Sequence, residues 1–252
     1  MPGGPLSAAD LVPLRRAGRI VAEVLDALEA AAAPGVSTLE LDALARTRCE
    51  AAGARPAFLG YHGFPGSVCI SVNEELVHGI PSAERILAEG DLLKLDFGAV
   101  YKGLFGDAAR SLVVGRGSEL RHRLCTVTRE ALEAAIGRVR DGATVGDLGE
   151  AIQRHVQGQG FSVITGFTGH GIGHRLHLPP EIPNAGRAGE GARLREGMAI
   201  CIEPIVAAGT DDIDILGDDW TVVSADGSDG AHWEHTVLVT RRGAEVLTRS
   251  GG

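Results

Sequence analysis

Two aspartates lie in the run DLLKLDFGAVYKGLFGDAARSLVVG, which is typical of two strands joined by a tight turn. If Tyr101 and Lys102 are the central turn residues, antiparallel pairing sets Asp96 directly opposite Asp107. Residues in that arrangement have Cβ atoms roughly 4.5–5.5 Å apart, and like charges there are destabilising. Because a buried unpaired charge is very costly, the pair predicts a cation between the two carboxylates. The alternative is two solvated aspartates on an open hairpin face.

Three later residues could complete such a metal site. His170 lies in TGFTGHGIGH, where the flanking glycines allow the backbone to come close to a ligand. Glu203 lies in MAICIEPIVA, and Glu234 precedes HTVLVT. Both runs are typical of buried strands, in which a charged residue is rarely left unpaired. Each glutamate taken alone could instead be a buried salt-bridge partner.

Together these residues form a set of four carboxylates and one imidazole: Asp96, Asp107, His170, Glu203 and Glu234. This oxygen-rich set suits divalent Mn, Fe or Co and differs from the cysteine-rich set of a structural zinc site. Four negative charges balance two divalent ions, and two ions about 3.5–4 Å apart are a known hydrolytic device. The set therefore predicts a dinuclear hydrolytic centre.

Hydrophobic periodicity predicts the elements that position these residues. Helices are predicted over residues 7–33, 38–52, 118–140 and 145–159. Strands are predicted over residues 67–72, 161–165, 199–206, 220–224 and 235–240, with a hairpin over 92–114. Ser7 and Thr38 are the candidate caps of the first two helices. No linker separates two halves, so we expect one α+β domain over residues 1–252, with antiparallel strands around the site.

The chain resembles the type I methionine aminopeptidases from about Arg16 to its end. The segments that carry the resemblance have the family's order and spacing: GYHGFPGSVCISVNEELVHGIP, GDLLKLDFG, GDAAR, GHGIGHRLH, MAICIEP, DDWTVVSADGS and AHWEHTVLVT. The resemblance implies the pseudo-symmetric pita-bread fold and removal of N-terminal methionine when the second residue is small. It also matches the five predicted ligands to the family's ligands for two divalent ions. The short N-terminus and the lack of the type II insertion favour a short bacterial form.

The resemblance further implies roles for residues near the metal ions. Glu203 is the expected general base, His177 the donor to the developing oxyanion, and His78 the contact to the nitrogen of the scissile peptide. Aromatic walls suit a methionine side chain, because sulfur–aromatic contacts are favourable by about 0.3–1.5 kcal/mol. The expected substrate-binding residues are Phe58, Tyr61, Phe64, Cys69, His78, Leu176, His177 and Trp220. Phe58 and Leu176 could instead be ordinary core residues.

Several positions depart from the family pattern. Phe105 stands two residues before the second aspartate, where a polar residue is frequent, and Asp219 replaces a usual glycine. Leu178 and Pro179 follow His177, where acidic residues are frequent. Phe105 is expected to alter solvation near the site. Asp219, Leu178 and Pro179 are expected to narrow or reshape the mouth of the pocket.

Composition excludes several classes of protein. The net charge is −9 and long Lys/Arg clusters are absent, so a general nucleic-acid-binding surface is not expected. A local patch that contacts the ribosome is compatible with this charge. The four cysteines lack paired spacing, which favours a reduced protein over a disulfide framework. A signal peptide and an apolar run of roughly 18 residues are also absent. We therefore expect a cytoplasmic protein. The resemblance implies that it acts on peptide or nascent-chain N-termini, and we expect a monomer.

Two other interpretations share part of this pattern. An X-Pro aminopeptidase or prolidase would have the same fold and all five ligands, and LDFGAVYKG resembles that branch locally. Those enzymes usually have a preceding domain. A non-catalytic peptide-binding protein of the same fold would be expected to have lost ligands.

Overall fold

The computed structural model describes residues 3–251. Its helices are α1 (Ala8–Ala31), α2 (Thr38–Ala51), α3 (Glu119–Ile136) and α4 (Val145–Gly158). The first half of the chain contains strands β1 (Arg55–Pro56), β2 (Cys69–Val72), β3 (Glu75–Val77), β4 (Leu92–Tyr101) and β5 (Leu104–Val113). The second half contains β6 (Ser162–Val163), β7 (Gly169–Ile172), β8 (Leu178–Ile182), β9 (Ala199–Ile202), β10 (Ile205–Ala207), β11 (Ile213–Ile215), β12 (Val222–Ser224), β13 (Gly230–His232), β14 (His235–Val239) and β15 (Ala244–Val246).

The strands form four sheets in which every pairing is antiparallel. One sheet contains β1, β4 and β2 with β5 on β4, and a second has the order β15-β14-β9-β7-β8. Two three-stranded sheets have the orders β13-β10-β6 and β11-β12-β3. Helices α1 and α2 share a core with β4, while α3 and α4 share a core with β9 and β14. The predicted α+β class is confirmed.

The helix starts follow local capping chemistry. Ser7 and Asp10 form a capping box at α1, in which each side chain accepts a hydrogen bond from the other residue's backbone N–H. The predicted cap of α2 was wrong by one residue, because Ser37 and Glu40 form the capping box there. Thr38 is buried, and its hydroxyl donates to the Ser82 carbonyl at 3.1 Å.

The turn of the β4–β5 hairpin differs from the prediction. Tyr101 pairs with Leu104, so Lys102 and Gly103 are the central turn residues. Both have positive φ, 49° and 82°, which is the backbone conformation that two-residue hairpin loops prefer. Glycine adopts this conformation without a steric penalty, which explains why the turn lies one residue later than predicted.

The later turn changes the partners of the two aspartates. Asp96 pairs with Ala109, and Asp107 pairs with Gly98. The prediction that Asp96 lies directly opposite Asp107 was therefore wrong. Because the offset is two residues and side chains alternate between faces, both aspartates still lie on one face as diagonal neighbours.

The strand predicted over residues 199–206 is two strands with a break between them. β9 ends before Glu203, and β10 begins after Pro204, which has no N–H for a ladder hydrogen bond. β13 and β14 are likewise separated at Trp233 and Glu234. β9 pairs with β14 and β10 pairs with β13 in one continuous register, so Glu203 lies opposite Glu234 at the common break.

Two further observations concern the described residues. No helix among residues 3–251 is long and apolar enough to span a lipid bilayer. All four cysteines lie in that range and are free thiols.

Candidate active site

One cavity of about 420 Å³ contains every residue predicted to bind metal, to act in catalysis or to bind substrate. Its four carboxylates come from two strands and two strand breaks. Asp96 lies on β4 and Asp107 on β5, while Glu203 and Glu234 occupy the paired breaks of the second half. The backbones of Glu234 and Ala109 exchange hydrogen bonds of 2.9 and 3.3 Å, which joins β5 to the break between β13 and β14. The two halves therefore meet at the carboxylates.

His170 lies on β7 between two glycines that pack against neighbouring strands. A Cβ atom on Gly169 would lie 2.3 Å from the Cys201 carbonyl oxygen, and one on Gly171 would lie 2.2 Å from the Pro179 carbonyl oxygen. What these glycines accommodate is protein backbone, and the prediction that they also allow close approach to a ligand stays a prediction. They allow the close packing that holds His170 in place.

The imidazole of His170 is oriented by the backbone of the next residue, Gly171. Nδ1 lies 3.0 Å from the Gly171 carbonyl oxygen, which can only accept, so Nδ1 carries the proton. Nε2 is then an unprotonated nitrogen, 3.6 Å from Oε1 of Glu203. This is the arrangement of a metal-ligating histidine. Burial lowers the pKa of His170 to about 3, so the ring is neutral at neutral pH.

Ligand atoms of Asp107, His170, Cys201 and Glu234 lie within 4.8 Å of one another. Oδ1 of Asp96, Oδ1 of Asp107 and Oε1 of Glu234 are buried and have no hydrogen-bond partner in the part of the chain that the structure describes. Buried oxygens of this kind are costly unless something compensates them. A cation would satisfy all three oxygens, so the donor set fits the divalent metal predicted from the sequence.

The carboxyl groups have strongly perturbed acidities. Burial raises the pKa of Asp96 to about 7. Burial, followed by repulsion from neighbouring carboxylates, raises the pKa values of Asp107, Glu203 and Glu234 well above the usual range. The four groups therefore cannot all ionise at neutral pH unless positive charge lies among them.

Cys201 belongs to the site but was not predicted there. It is fully buried on β9, and its Sγ lies within 4.8 Å of ligand atoms of Asp107, His170 and Glu234. Burial and the charge of Glu234 raise the pKa of the Cys201 thiol well above its usual range. Its position two residues before Glu203 was the available sequence signal.

Aromatic and imidazole rings form the rest of the cavity wall. The Tyr61 hydroxyl lies 2.8 Å from Nδ1 of His177. Phe64 and Trp220 meet edge to face, with ring centroids 5.1 Å apart. Burial, followed by the charge of His177, lowers the pKa of His78 to about 4. Desolvation in the pocket also lowers the pKa of His177, so both imidazoles are neutral at neutral pH.

Some residues near the cavity differ from expectation. His62, Phe167 and Thr168 line it although the sequence did not single them out as site residues. Leu178 lines a separate cleft beside the N-terminal segment, so the expectation that it narrows the mouth of this pocket was wrong. Phe105 packs into a hydrophobic cluster.

Comparison with known proteins places this site in a family. Residues 13–241 match metallopeptidase family M24. The chain belongs to this family. It is 45% identical over 248 residues to methionine aminopeptidase 1 of Mycobacterium tuberculosis (strain CDC 1551 / Oshkosh), an alignment that covers 96% of this chain and 93% of the relative.

Solved structures agree with this assignment. The crystal structure of methionine aminopeptidase from Thermotoga maritima matches with a TM-score of 0.96 and 41% identity, covering 98% of this chain and 99% of that one. Prolidase from Pyrococcus furiosus matches with a TM-score of 0.80 and 25% identity, and 66% of the prolidase is covered. These likenesses confirm the predicted pita-bread fold and favour the methionine aminopeptidase branch over the prolidase branch.

The raised carboxyl pKa values predict how pH affects the metal-free protein. Asp96 has a pKa of about 7 when folded and 3.8 as its ordinary value, so its contribution to stability is lost as pH rises towards 7. We expect the melting temperature of metal-free wild type, relative to that of metal-free Asp96→Asn, to fall between about pH 4 and about pH 7. The buried histidines and Lys94 are common to both proteins. Asp107, Glu203 and Glu234 are also common, but the Asp96 charge raises their pKa values in wild type alone, which acts in the same direction. Thermal unfolding in chelator measures the difference, and a constant or rising difference would contradict the prediction.

Proposed function

We propose that this metallopeptidase removes the N-terminal methionine from nascent proteins and peptides when the second residue is small. One observation carries the proposal: a single cavity has a carboxylate cluster beside an apolar, aromatic wall. The first is suited to metal-assisted hydrolysis, and the second is suited to a thioether side chain. The 45% sequence identity to methionine aminopeptidase 1 of Mycobacterium tuberculosis, over 96% of this chain, supports the proposal.

We infer that the site holds two divalent ions, Fe, Mn or Co. Five residues would hold them: Asp96, Asp107, His170, Glu203 and Glu234. The unpartnered oxygens and the unprotonated Nε2 of His170 support this set. The chemistry that such ions supply when bound is activation of water and polarisation of the scissile carbonyl.

Three side chains of this chain would move or hold protons during hydrolysis. Glu203 would accept a proton from the attacking water, since it combines a raised carboxyl pKa with a position in the cluster. His177 would donate to the developing oxyanion. If the Tyr61 hydroxyl donates to Nδ1, the neutral His177 ring carries its proton on Nε2 and can act as that donor. His78 would contact the nitrogen of the scissile peptide and assist the leaving amine.

The apolar wall would select methionine at the first position. Phe58, Phe64 and Leu176 are buried, and together with Tyr61, Cys69 and Trp220 they border the carboxylates. The second residue of a substrate would then lie beside the crowded carboxylate cluster, where little volume remains. We therefore expect Ala, Gly and Ser to be accepted there, and Lys or Arg to be rejected.

The cellular setting remains part of the proposal. Residues 1–252 would act as one catalytic domain and as a monomer in the cytoplasm. The substrate is a peptide N-terminus, and a transient contact with the ribosome would bring nascent chains to the site. Nucleic acid and membrane are not required partners in this proposal.

A peptide panel tests the activity. With Mn, Fe or Co added in turn, the protein should cleave Met-Ala-Ser much faster than Met-Lys-Ser or Leu-Ala-Ser. The apolar wall would select methionine as the first residue, and the limited volume beside the carboxylates would select a small second residue. The measurement is kcat/KM for each peptide under one metal. Equal values for Met-Ala-Ser and Met-Lys-Ser would refute selection at the second residue. Faster cleavage of Ala-Pro-Ser than of either would assign the protein to the prolidase branch.

The two pocket histidines can be tested separately from the metal ligands. In His78→Ala and His177→Ala, metal content should stay at the wild-type level while kcat falls by on the order of 10²–10³, the loss typical of an oriented donor. His174→Ala is the matched control, because His174 is exposed and pairs with Asp10 at 3.3 Å. Metal loss in His78→Ala or His177→Ala would instead identify that residue as a ligand.

A further inference from the structure

Lys94 is an interior lysine on the strand that carries Asp96. Its side chain is 1% exposed and is among the largest fully buried side chains of the described chain. Nζ donates to the Asn73 carbonyl oxygen at 2.7 Å and to the Leu92 carbonyl oxygen at 3.3 Å. Within residues 3–251 its hydrogen-bond acceptors are thus backbone carbonyls and not carboxylates.

Such a lysine is an expensive choice for a core position. Burial lowers the pKa of Lys94 to about 7, although the charges of Glu75 and Asp229 oppose this shift. An apolar side chain of similar volume is often neutral or stabilising at a buried charged position. Stability alone therefore does not explain a lysine at this position. The explanation we consider is that its hydrogen bonds fix the relative positions of the backbone segments that they join.

The Asn73 carbonyl is a junction between three parts of the site. Asn73 has φ 60° and forms the turn between β2 and β3, and β3 leads directly to His78. The same carbonyl accepts a hydrogen bond of 3.1 Å from the N–H of Gly230, the first residue of β13, which leads to Glu234. Lys94 adds a bond from β4, two residues before Asp96.

Other contacts tie this turn to β4 but do not replace Lys94. Asn73 N–H donates to the Leu92 carbonyl at 2.8 Å, and Leu92 N–H donates to Oδ1 of Asn73 at 2.9 Å. These bonds join Asn73 to Leu92, the first residue of β4. Within residues 3–251, Nζ of Lys94 is the side-chain donor to the Asn73 carbonyl itself, which also accepts from the Gly230 N–H.

His232 lies on β13, two residues after Gly230 and two residues before Glu234. Its ring is buried, and within residues 3–251 neither ring nitrogen has a hydrogen-bond partner. Burial, followed by the charges of His78 and Lys94, lowers the pKa of His232 to about 3. His232 therefore lies on the segment that joins the Asn73 carbonyl, through Gly230, to Glu234.

We propose that Lys94 is a positioning residue: its Nζ fixes the Asn73 turn between β4 and β13 and thereby holds His78 in place relative to Asp96 and Glu234. Lys94 does not line the cavity, so it would act through other residues and not on the substrate itself. The inference rests on the proposed function, since it assigns His78 a place in the reaction. It adds a residue outside the site on which the geometry of the site depends.

Lys94→Met tests the proposal, because it removes the donor and keeps most of the volume. On Met-Ala-Ser, we expect kcat to fall by on the order of 10–100-fold, as for loss of an orienting contact, while KM and metal content stay at wild-type values. In the metal-free protein, hydrogen exchange should be faster over residues 70–79 and 228–234 and unchanged in α4. The exchange readout does not depend on activity, so it separates failure of this inference from failure of the proposed function.

A second variant covers the case in which Lys94→Met does not fold. Lys94→Ala leaves a space that methylammonium can enter and that tetramethylammonium cannot. Methylammonium should restore kcat and slow exchange in Lys94→Ala but not in Leu95→Ala, a matched cavity in the adjacent, fully buried residue. Wild-type kcat and wild-type exchange in either folded Lys94 variant would overturn the proposal. So would a loss of kcat in Lys94→Ala that methylammonium leaves unchanged.

Discussion

Four carboxyl groups line one cavity, and their mutual repulsion is the constraint on which the rest of the structure depends. Burial raises all four pKa values, and three of the carboxyl groups have an oxygen without a hydrogen-bond partner among residues 3–251. An arrangement like this is unfavourable in itself, so the fold must hold the groups together from several directions. A divalent cation converts the same repulsion into binding free energy, because it attracts every group that otherwise repels the others.

Backbone pairing supplies the force that opposes this repulsion. Glu203 and Glu234 lie opposite each other where two antiparallel strands are broken. On one side of the break β9 pairs with β14 in one sheet, and on the other side β10 pairs with β13 in another sheet. Asp107 is held by Thr236, whose hydroxyl donates to the Asp107 carbonyl at 2.7 Å and accepts from its N–H at 2.9 Å. The carboxylates are thus placed by ladders and side-chain bonds formed by the protein itself. Such preorganisation is what catalysis by fixed charges requires.

The sequence predicted the helices, the hairpin and the residues that gather in the cavity, because these depend on local periodicity and on residue type. It did not predict the register of the hairpin, since Gly103 fits either of two turn positions and only the paired strands select one. The break at Pro204 was missed because an apolar run looks continuous to periodicity alone. Cys201 and Lys94 were missed for a related reason: their roles depend on which strands meet, and strand pairing is not visible in spacing.

The central claim is that this cavity is built around two divalent ions shared by the carboxylate cluster. Metal content per chain at saturation, measured together with turnover for wild type, Asp107→Asn and His174→Ala, tests it most directly. We expect two ions per chain in wild type and in His174→Ala, and loss of at least one ion with nearly abolished turnover in Asp107→Asn. Full wild-type turnover with fewer than two ions bound at saturation would contradict the claim.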